Sequence, residues 1–185
     1  MMNLANRISI TRIILIPFFI AAVVYAHMTV ALVIFMVAVL TDAVDGFIAR
    51  TRNQKTQLGI ILDPIADKLL LTSAYICLSV VRSIPDPVRL PAYVPIIVIS
   101  RDCLIIIGSL VVYMIKGDLK VSPSVVGKIT TFFQMMTIIC VLVKFEYSFI
   151  VWTVTIALTT ISGIGYLLHG SRLLNENQNH AKRPV

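Results

Sequence analysis

Six long apolar segments run through this chain of 185 residues and are separated by short polar stretches. A helix that crosses the hydrocarbon core of a bilayer needs about 20 mostly apolar residues, so each segment is a candidate span. Hydrophobic residues make up 58% of the chain and charged residues only 14%, which is outside the usual range of soluble domains. The sequence therefore predicts an all-α integral membrane protein with six transmembrane helices. The segments are residues 13–26, 29–50, 60–81, 91–115, 125–143 and 149–168.

The residues before the first apolar segment predict an amphipathic helix at the membrane surface. Asn3, Asn6, Ser9 and Arg12 recur at helical spacing and are expected to form its polar face. A cleaved signal peptide is the competing interpretation, with Arg7 and Arg12 in the basic region and residues 24–26 as the cleavage site. The five further spans favour an uncleaved first helix.

The basic residues predict which ends of the helices face the cytoplasm. Loops rich in Lys and Arg tend to stay cytoplasmic, and most of these residues lie on the side that also carries both termini. This topology accounts for the net charge of +7 better than nucleic-acid binding does, because the basic residues form no patch interleaved with aromatics. We expect one membrane domain over residues 1–174 and a polar cytoplasmic tail over 175–185. The small size and the lack of a transit segment suggest a bacterial inner membrane.

Four of the seven aspartates lie between positions 42 and 67, where two predicted helices meet a cytoplasmic loop. Asp42 and Asp45 are three residues apart and Asp63 and Asp67 are four apart, so each pair lies on one face of its helix. Carboxylates in a membrane protein are costly unless they meet a cation, a polar partner or water. If the loop folds the two helices antiparallel, the pairs face each other and offer oxygen ligands that suit Mg²⁺ or Mn²⁺.

The residues between the carboxylates indicate a ligand that contains phosphate. Gly46, Ala49 and Gly59 lack bulk where a backbone or a ligand must come close, although each alone could serve only helix packing. Arg50 offers a planar fork of donors that suits phosphate oxygens. A transporter or proton relay could also use membrane carboxylates, but a relay would distribute them along a path.

The four aspartates, with Gly46, Ala49, Arg50 and Gly59 at their spacing, resemble the signature of the CDP-alcohol phosphotransferase family at all eight defining positions. The resemblance extends to residues 3–12, which look like the family's amphipathic entry helix, and to residues 162–166 near the end of the last span.

The resemblance implies a mechanism and a cytoplasmic active site. Two divalent cations, Mg²⁺ or Mn²⁺, would be held by the four aspartates and would clamp the diphosphate of CDP-diacylglycerol. Asp67 would also be the catalytic base that takes the proton of the attacking hydroxyl. Gly46, Ala49 and Gly59 would leave room for the cytidine and ribose, and Arg50 would pair with phosphate. The family forms homodimers, and the small residues at positions 162, 163, 165 and 170 offer a surface for one or for packing within the chain.

The acceptor alcohol is less defined by the sequence. The chain most resembles the phosphatidylglycerophosphate synthases of the family, which implies sn-glycerol 3-phosphate as acceptor and CMP as the released product. It differs from them at Asp102 and Ser109, where they usually carry Glu and Arg. Residues 99–102, 120–123 and 127–128 also resemble the cardiolipin synthases of the family, which use phosphatidylglycerol. Both alternatives stay open here, as does another CDP-diacylglycerol-dependent phosphatidyltransferase.

Four basic residues are candidates for binding a phosphate of the acceptor. Arg101 lies within the fourth apolar segment, where a charge needs a function or an ion pair with a nearby carboxylate. Asp102 is expected to point to a different face of the same helix. The other three candidates belong to the loop that follows, where topology alone could explain them: Lys116, Lys120 and Lys128.

Overall fold

A computed structural model of the chain contains six α-helices in the residues that it describes. It describes the backbone of residues 4–52, 57–81, 84, 88–116 and 125–181, and the side chains of residues 10–41, 66–81, 84, 88–108 and 125–168. Each predicted apolar segment corresponds to one helix, which confirms the all-α architecture. The helices are α1 (Leu4–Val24), α2 (Met28–Arg52), α3 (Gln57–Val80), α4 (Tyr93–Lys116), α5 (Val125–Leu142) and α6 (Ser148–Ala181).

Helix α1 is continuous from Leu4, so the predicted surface segment and the first span form a single helix. The prediction that Arg12 lies on an exposed polar face is wrong, because this residue is only 2% exposed. Its spacing gives the reason. Arg12 stands four residues before Ile16 and seven before Phe19, both of which are buried, and residues at this spacing share a helix face.

The last helix is longer than the predicted span. Helix α6 runs through Ala181 and so continues seven residues beyond the expected boundary of the membrane domain at position 174. The predicted polar tail is therefore mostly a helical extension of α6 in its backbone, and the side chains from position 169 onward lie outside the described residues.

Two tight turns of the same construction reverse the chain. After α1, Ala26 N–H bonds to Val23 O and His27 N–H to Ala22 O; after α5, residues 144 and 145 repeat these bonds to residues 141 and 140. This pair of bonds is the Schellman motif, in which the residue after the helix adopts a left-handed conformation. Ala26 (φ 61°) and Lys144 (φ 59°) take that role although neither is glycine. Turns this short make α1 and α2, and likewise α5 and α6, antiparallel neighbours.

The helices pack as two groups, one of α1, α2 and α3 and the other of α4, α5 and α6. Helix α1 makes extensive contacts with α2 and α3, while α6 packs on both α5 and α4, and smaller contacts join α3 to α4 and α5. Phe19 on α1 and Phe35 on α2 are fully buried, with ring centroids 6.0 Å apart. Tyr75 on α3 is also buried and donates a hydrogen bond of 3.1 Å to the backbone oxygen of Gln134 on α5. This bond between α3 and α5 joins the two groups of helices inside the core.

The outside of the bundle is apolar, whereas its interior carries polar side chains. Phe18, Ile96 and Phe132 are each at least 60% exposed, while Thr137 and Thr155 are fully buried and their hydroxyls lie 2.8 Å apart between α5 and α6. In the part of the chain that the structure describes, α5 and residues 148–168 of α6 are long and apolar enough to cross a bilayer, and α1 and α2 contain shorter apolar stretches. This distribution is typical of helices surrounded by lipid, where hydrogen bonds between helices replace the hydrophobic driving force.

Candidate active site

The four aspartates predicted to bind metal lie at the ends of two consecutive helices. Asp42 and Asp45 belong to the last three turns of α2, while Asp63 and Asp67 belong to the first three turns of α3. Only residues 53–56 separate the two helices, so the chain brings the pairs to the same end of the bundle. The backbone therefore places these four positions near one end of the bundle, and the grouping of their side chains stays a prediction.

The side chains of most predicted site residues lie outside the described part of the structure. This applies to three aspartates, Asp42, Asp45 and Asp63, and to the residues expected to surround the nucleotide, Gly46, Ala49, Arg50 and Gly59, all of which have helical backbone. Asp67 is described and is partly buried. Among the side chains that the structure does describe, no group of three or more His, Cys, Asp or Glu could hold a metal ion. The metal-binding prediction consequently stays a prediction.

Beside Asp67, the structure shows a buried ion network that joins three helices. Lys68 Nζ on α3 donates a hydrogen bond of 2.8 Å to Oδ2 of Asp102 on α4. The other carboxylate oxygen, Oδ1, accepts a bond of 2.8 Å from Nη1 of Arg101. Arg101 Nη2 in turn donates to Ser162 Oγ on α6 at 2.7 Å. The Asp102 carboxylate is therefore held by two cations, one from each side.

Burial makes this network costly to disturb. The side chains of Arg101 and Asp102 are each 7% exposed, and that of Lys68 is 24% exposed. A buried ion pair is strongly destabilised when one partner is removed, because the remaining charge stays without compensation. Two cations share one carboxylate, so the three side chains together keep one excess positive charge. Arg101 Nε is also buried and has no hydrogen-bond partner among the described residues.

The sequence interpretation missed most of this network. It assigned no role to Lys68 and expected Asp102 to point away from Arg101, whereas the carboxylate bonds directly to that guanidinium. The available signal was that Lys68, Arg101 and Asp102 are charged residues within apolar segments, where opposite charges tend to pair. The anticipated ion pair of Arg101 with a nearby carboxylate is present. Its partner could not be chosen from sequence alone.

Small residues on α6 and α4 allow these two helices to come close around Arg101. A Cβ atom on Gly163 would lie 3.5 Å from Arg101 Cγ, so α6 lies directly against the stem of this side chain. Two turns along α4 from Arg101, Gly108 lies under the ring of Tyr166, whose hydroxyl donates a hydrogen bond of 3.2 Å to Ile105 O. Ser162 and Gly163 therefore serve packing within the chain. Gly165 has nothing within 4 Å of the position of its missing Cβ.

The remaining basic candidates for the acceptor are less well placed by the structure. Lys128 lies in the first turn of α5 and is exposed. Lys116 is the last residue of α4, but its side chain lies outside the described residues, as does all of Lys120. Of the four acceptor candidates, the structure thus embeds Arg101 in the ion network and shows Lys128 exposed at the surface.

The comparison with known proteins agrees with the motif. A sequence model of the family described as CDP-alcohol phosphatidyltransferase matches residues 2–161. The CDP-diacylglycerol–glycerol-3-phosphate 3-phosphatidyltransferase of Aquifex aeolicus is 30% identical over 181 residues, which cover 94% of this chain and 98% of that protein. The enzyme of the same name from Escherichia coli K12 is 37% identical over 142 residues, 74% of each chain.

A second kind of relative is also similar to this chain. The cardiolipin synthase (CMP-forming) of Rattus norvegicus is 30% identical over 196 residues, which cover 92% of this chain and 62% of that protein. Since the family model matches far more than half of the sequence, the chain belongs to the CDP-alcohol phosphatidyltransferase family. The predicted family and the prediction of a transferase are confirmed.

Proposed function

We propose that this protein transfers the phosphatidyl group of CDP-diacylglycerol to sn-glycerol 3-phosphate, forming phosphatidylglycerophosphate and releasing CMP in phospholipid biosynthesis. The observation that carries the proposal is the match over nearly the whole length of both chains to a relative named for this reaction. The aspartate motif on α2 and α3 would supply the groups that the reaction needs.

The donor set fits two divalent cations of the Mg²⁺ or Mn²⁺ kind. Four carboxylates at one end of two consecutive helices are hard oxygen ligands, and the chemistry of such a set suits these ions rather than softer metals. Asp42, Asp45, Asp63 and Asp67 would hold them. When bound, the cations neutralise negative charge on the diphosphate and on the departing CMP.

The residues around the cations would bind the donor and move one proton. Arg50 would pair with a phosphate of CDP-diacylglycerol, and the small residues Gly46, Ala49 and Gly59 would admit the cytidine and ribose. Asp67 would take the proton of the acceptor hydroxyl, whose oxygen then attacks the phosphorus that carries diacylglycerol. A new P–O bond forms there, the bond to the CMP oxygen breaks, and CMP leaves.

The membrane arrangement that we propose places this chemistry at the cytoplasmic surface. All six helices would cross a bacterial inner membrane, with both termini cytoplasmic and the aspartates near the cytoplasmic ends of α2 and α3. The apolar exterior and the concentration of basic residues on one side support this arrangement. A water-soluble nucleotide could then be released while the acyl chains stay in lipid. We also propose a homodimer, as the resemblance to the family implies.

Phosphatidylglycerol is the second candidate acceptor, because the match to the rat relative named cardiolipin synthase covers 92% of this chain, close to the 94% of the match to the Aquifex protein. The coverage of the relative's own length favours glycerol 3-phosphate, since it is 98% for the Aquifex protein and 62% for the rat protein. The excess positive charge around Arg101, together with Lys116, Lys120 and Lys128, would attract the phosphate of either acceptor.

The experiment that tests the function is an assay of CMP release by the purified full chain. CDP-diacylglycerol and Mg²⁺ are supplied with either glycerol 3-phosphate or phosphatidylglycerol, beside the variant Asp67→Asn. Release with glycerol 3-phosphate that the variant loses would establish the proposed reaction. Release with phosphatidylglycerol alone would make the protein a cardiolipin synthase, and no release with either would contradict both proposals.

A further inference from the structure

Asp102 lies between the two cations of the buried network and belongs to neither the predicted metal ligands nor the predicted substrate residues. Both of its oxygens are used, one by Lys68 on α3 and one by Arg101 on α4, each at 2.8 Å. Its carboxylate is almost fully buried, with 7% of the side chain exposed. A buried charge lowers the stability of a protein unless it is paired. The carboxylate is therefore expected to stay where both cations can reach it.

The α4 side of the network is held by several contacts. The Arg101 guanidinium is held at Nη1 by Asp102 and at Nη2 by Ser162, and its stem lies against Gly163 on α6. Asp102 therefore offers Lys68 a partner whose position is set by contacts on α4 and α6. The bond between Lys68 and Asp102 is consequently a tether from the helix that carries Asp67 to the neighbouring helices.

Lys68 directly follows Asp67, the last aspartate of the predicted metal site. Consecutive Cα atoms are about 3.8 Å apart, and a lysine ammonium sits on a flexible four-carbon stem. If its partner on α4 were missing, the nearest carboxylate along its own helix would be that of Asp67, one residue away in sequence. An ammonium beside that carboxylate repels a divalent cation and competes with it for oxygen ligands.

We propose that Asp102 is a positioning residue that holds the Lys68 ammonium away from the carboxylates of the metal site and so keeps them available to divalent cations. The inference rests on the metal site proposed above. It adds a role for a residue on α4 that contributes no ligand itself. The proposal also gives a physical reason for a lysine next to Asp67, because the bond from Lys68 to Asp102 orients this turn of α3.

The test measures Mn²⁺ binding directly, without substrates or catalysis. The full chain in detergent is titrated with Mn²⁺, and the free ion is followed by electron paramagnetic resonance. We expect Asp102→Asn to weaken Mn²⁺ binding about tenfold, the effect of one unit charge moved next to the ions. The double variant Asp102→Asn with Lys68→Met is expected to recover the affinity of the wild type, because the competing ammonium is gone.

The double variant separates the proposed role from damage to the fold. Both variants leave Arg101 without its carboxylate, so any effect of that loss is the same in both, and only the contribution of Lys68 is reversed. Thr160→Ala is the matched control, since this exposed hydroxyl on α6 bonds to the backbone of its own helix and takes no part in the network, and it is expected to leave Mn²⁺ affinity unchanged.

Each outcome bears on the inference. Weakening in Asp102→Asn that Lys68→Met reverses supports it. Unchanged affinity in Asp102→Asn, or a loss that Lys68→Met does not reverse, would overturn the positioning role while leaving the metal site standing. Failure of the wild type to bind Mn²⁺ more tightly than Asp67→Asn would overturn the proposed metal site and this inference together.

Discussion

The ring of Tyr166 on α6 covers Gly108 on α4 so closely that a Cβ atom on the glycine would lie 2.7 Å from Cε1 of the ring. The ring cannot simply swing away, because the tyrosine hydroxyl is bonded to Ile105 O on the same helix as the glycine. The same two helices are joined by Arg101 and Ser162. The contact of α4 with α6 therefore depends on the absence of a side chain at Gly108 and, two turns away, on the buried hydrogen bond between Arg101 and Ser162.

Gly108→Ala is expected to destabilise the protein by about 1–3 kcal/mol, the usual cost of forcing an extra methyl group into a packed site. Unfolding of the full chain in detergent measures the effect. Gly165→Ala is the matched control on α6, because its Cβ would meet nothing within 4 Å. Alanine is the better helix former by about 1 kcal/mol, so this control should be neutral or stabilising. Equal losses in the two variants would contradict the packing described here.

Two adjacent phenylalanines on α1 test which face of this helix enters the bundle. Phe19 is fully buried and Phe18 is 60% exposed. Phe19→Ala should lower the free energy of unfolding by about 3–5 kcal/mol, because it removes packed atoms and leaves a cavity. Phe18→Ala should change it by about 0.5 kcal/mol or less. The same unfolding measurement in detergent compares them, and a larger effect at Phe18 would show that the helix is rotated from the orientation seen here.

Asp67→Asn should reduce CMP release by about 10²–10⁴-fold, the range typical of losing a general base. The assay is the one proposed above, with CDP-diacylglycerol, glycerol 3-phosphate and Mg²⁺. Glu146→Gln serves as control, since this exposed carboxylate lies in the turn between α5 and α6, far along the chain from the aspartate motif. Activity retained by Asp67→Asn would rule out the proposed base.

Chelation of divalent ions should abolish CMP release without unfolding the helices. EDTA is added to the purified protein, activity is followed, and helix content is checked by circular dichroism. Addition of Mg²⁺ or Mn²⁺ in excess of the chelator should restore the activity, because four carboxylates without cations repel the diphosphate of the donor. Release that continues in EDTA would argue against a metal-dependent reaction.

Much of this fold could be predicted from the sequence, because in lipid the length of an apolar segment indicates a helix directly. The six segments correspond to the six helices, with ends displaced by nine residues at the start of α1 and by 13 at the end of α6. The sequence could not show which face of each helix is buried. Apolar residues surround these helices on all sides, so no periodic pattern distinguished Phe18 from Phe19, and Arg12 was wrongly placed on an exposed face.

The candidate site divides in the same way. The aspartate site stays a prediction from sequence, which rests on local spacing, because residues three or four apart in a helix are expected to share one face. The ion network could not be recognised from sequence, because Lys68 lies 34 positions from Asp102 and Arg101 lies 61 positions from Ser162.

The sequence by itself thus determined that this protein is a set of apolar helices with paired carboxylates at the junction of α2 and α3, since both properties depend on local spacing. Only the tertiary structure decided that Asp102 joins Lys68 to Arg101, and that Gly108 rather than Gly165 accommodates a ring. Those contacts depend on how α3, α4 and α6 rotate and cross, which packing between distant segments settles.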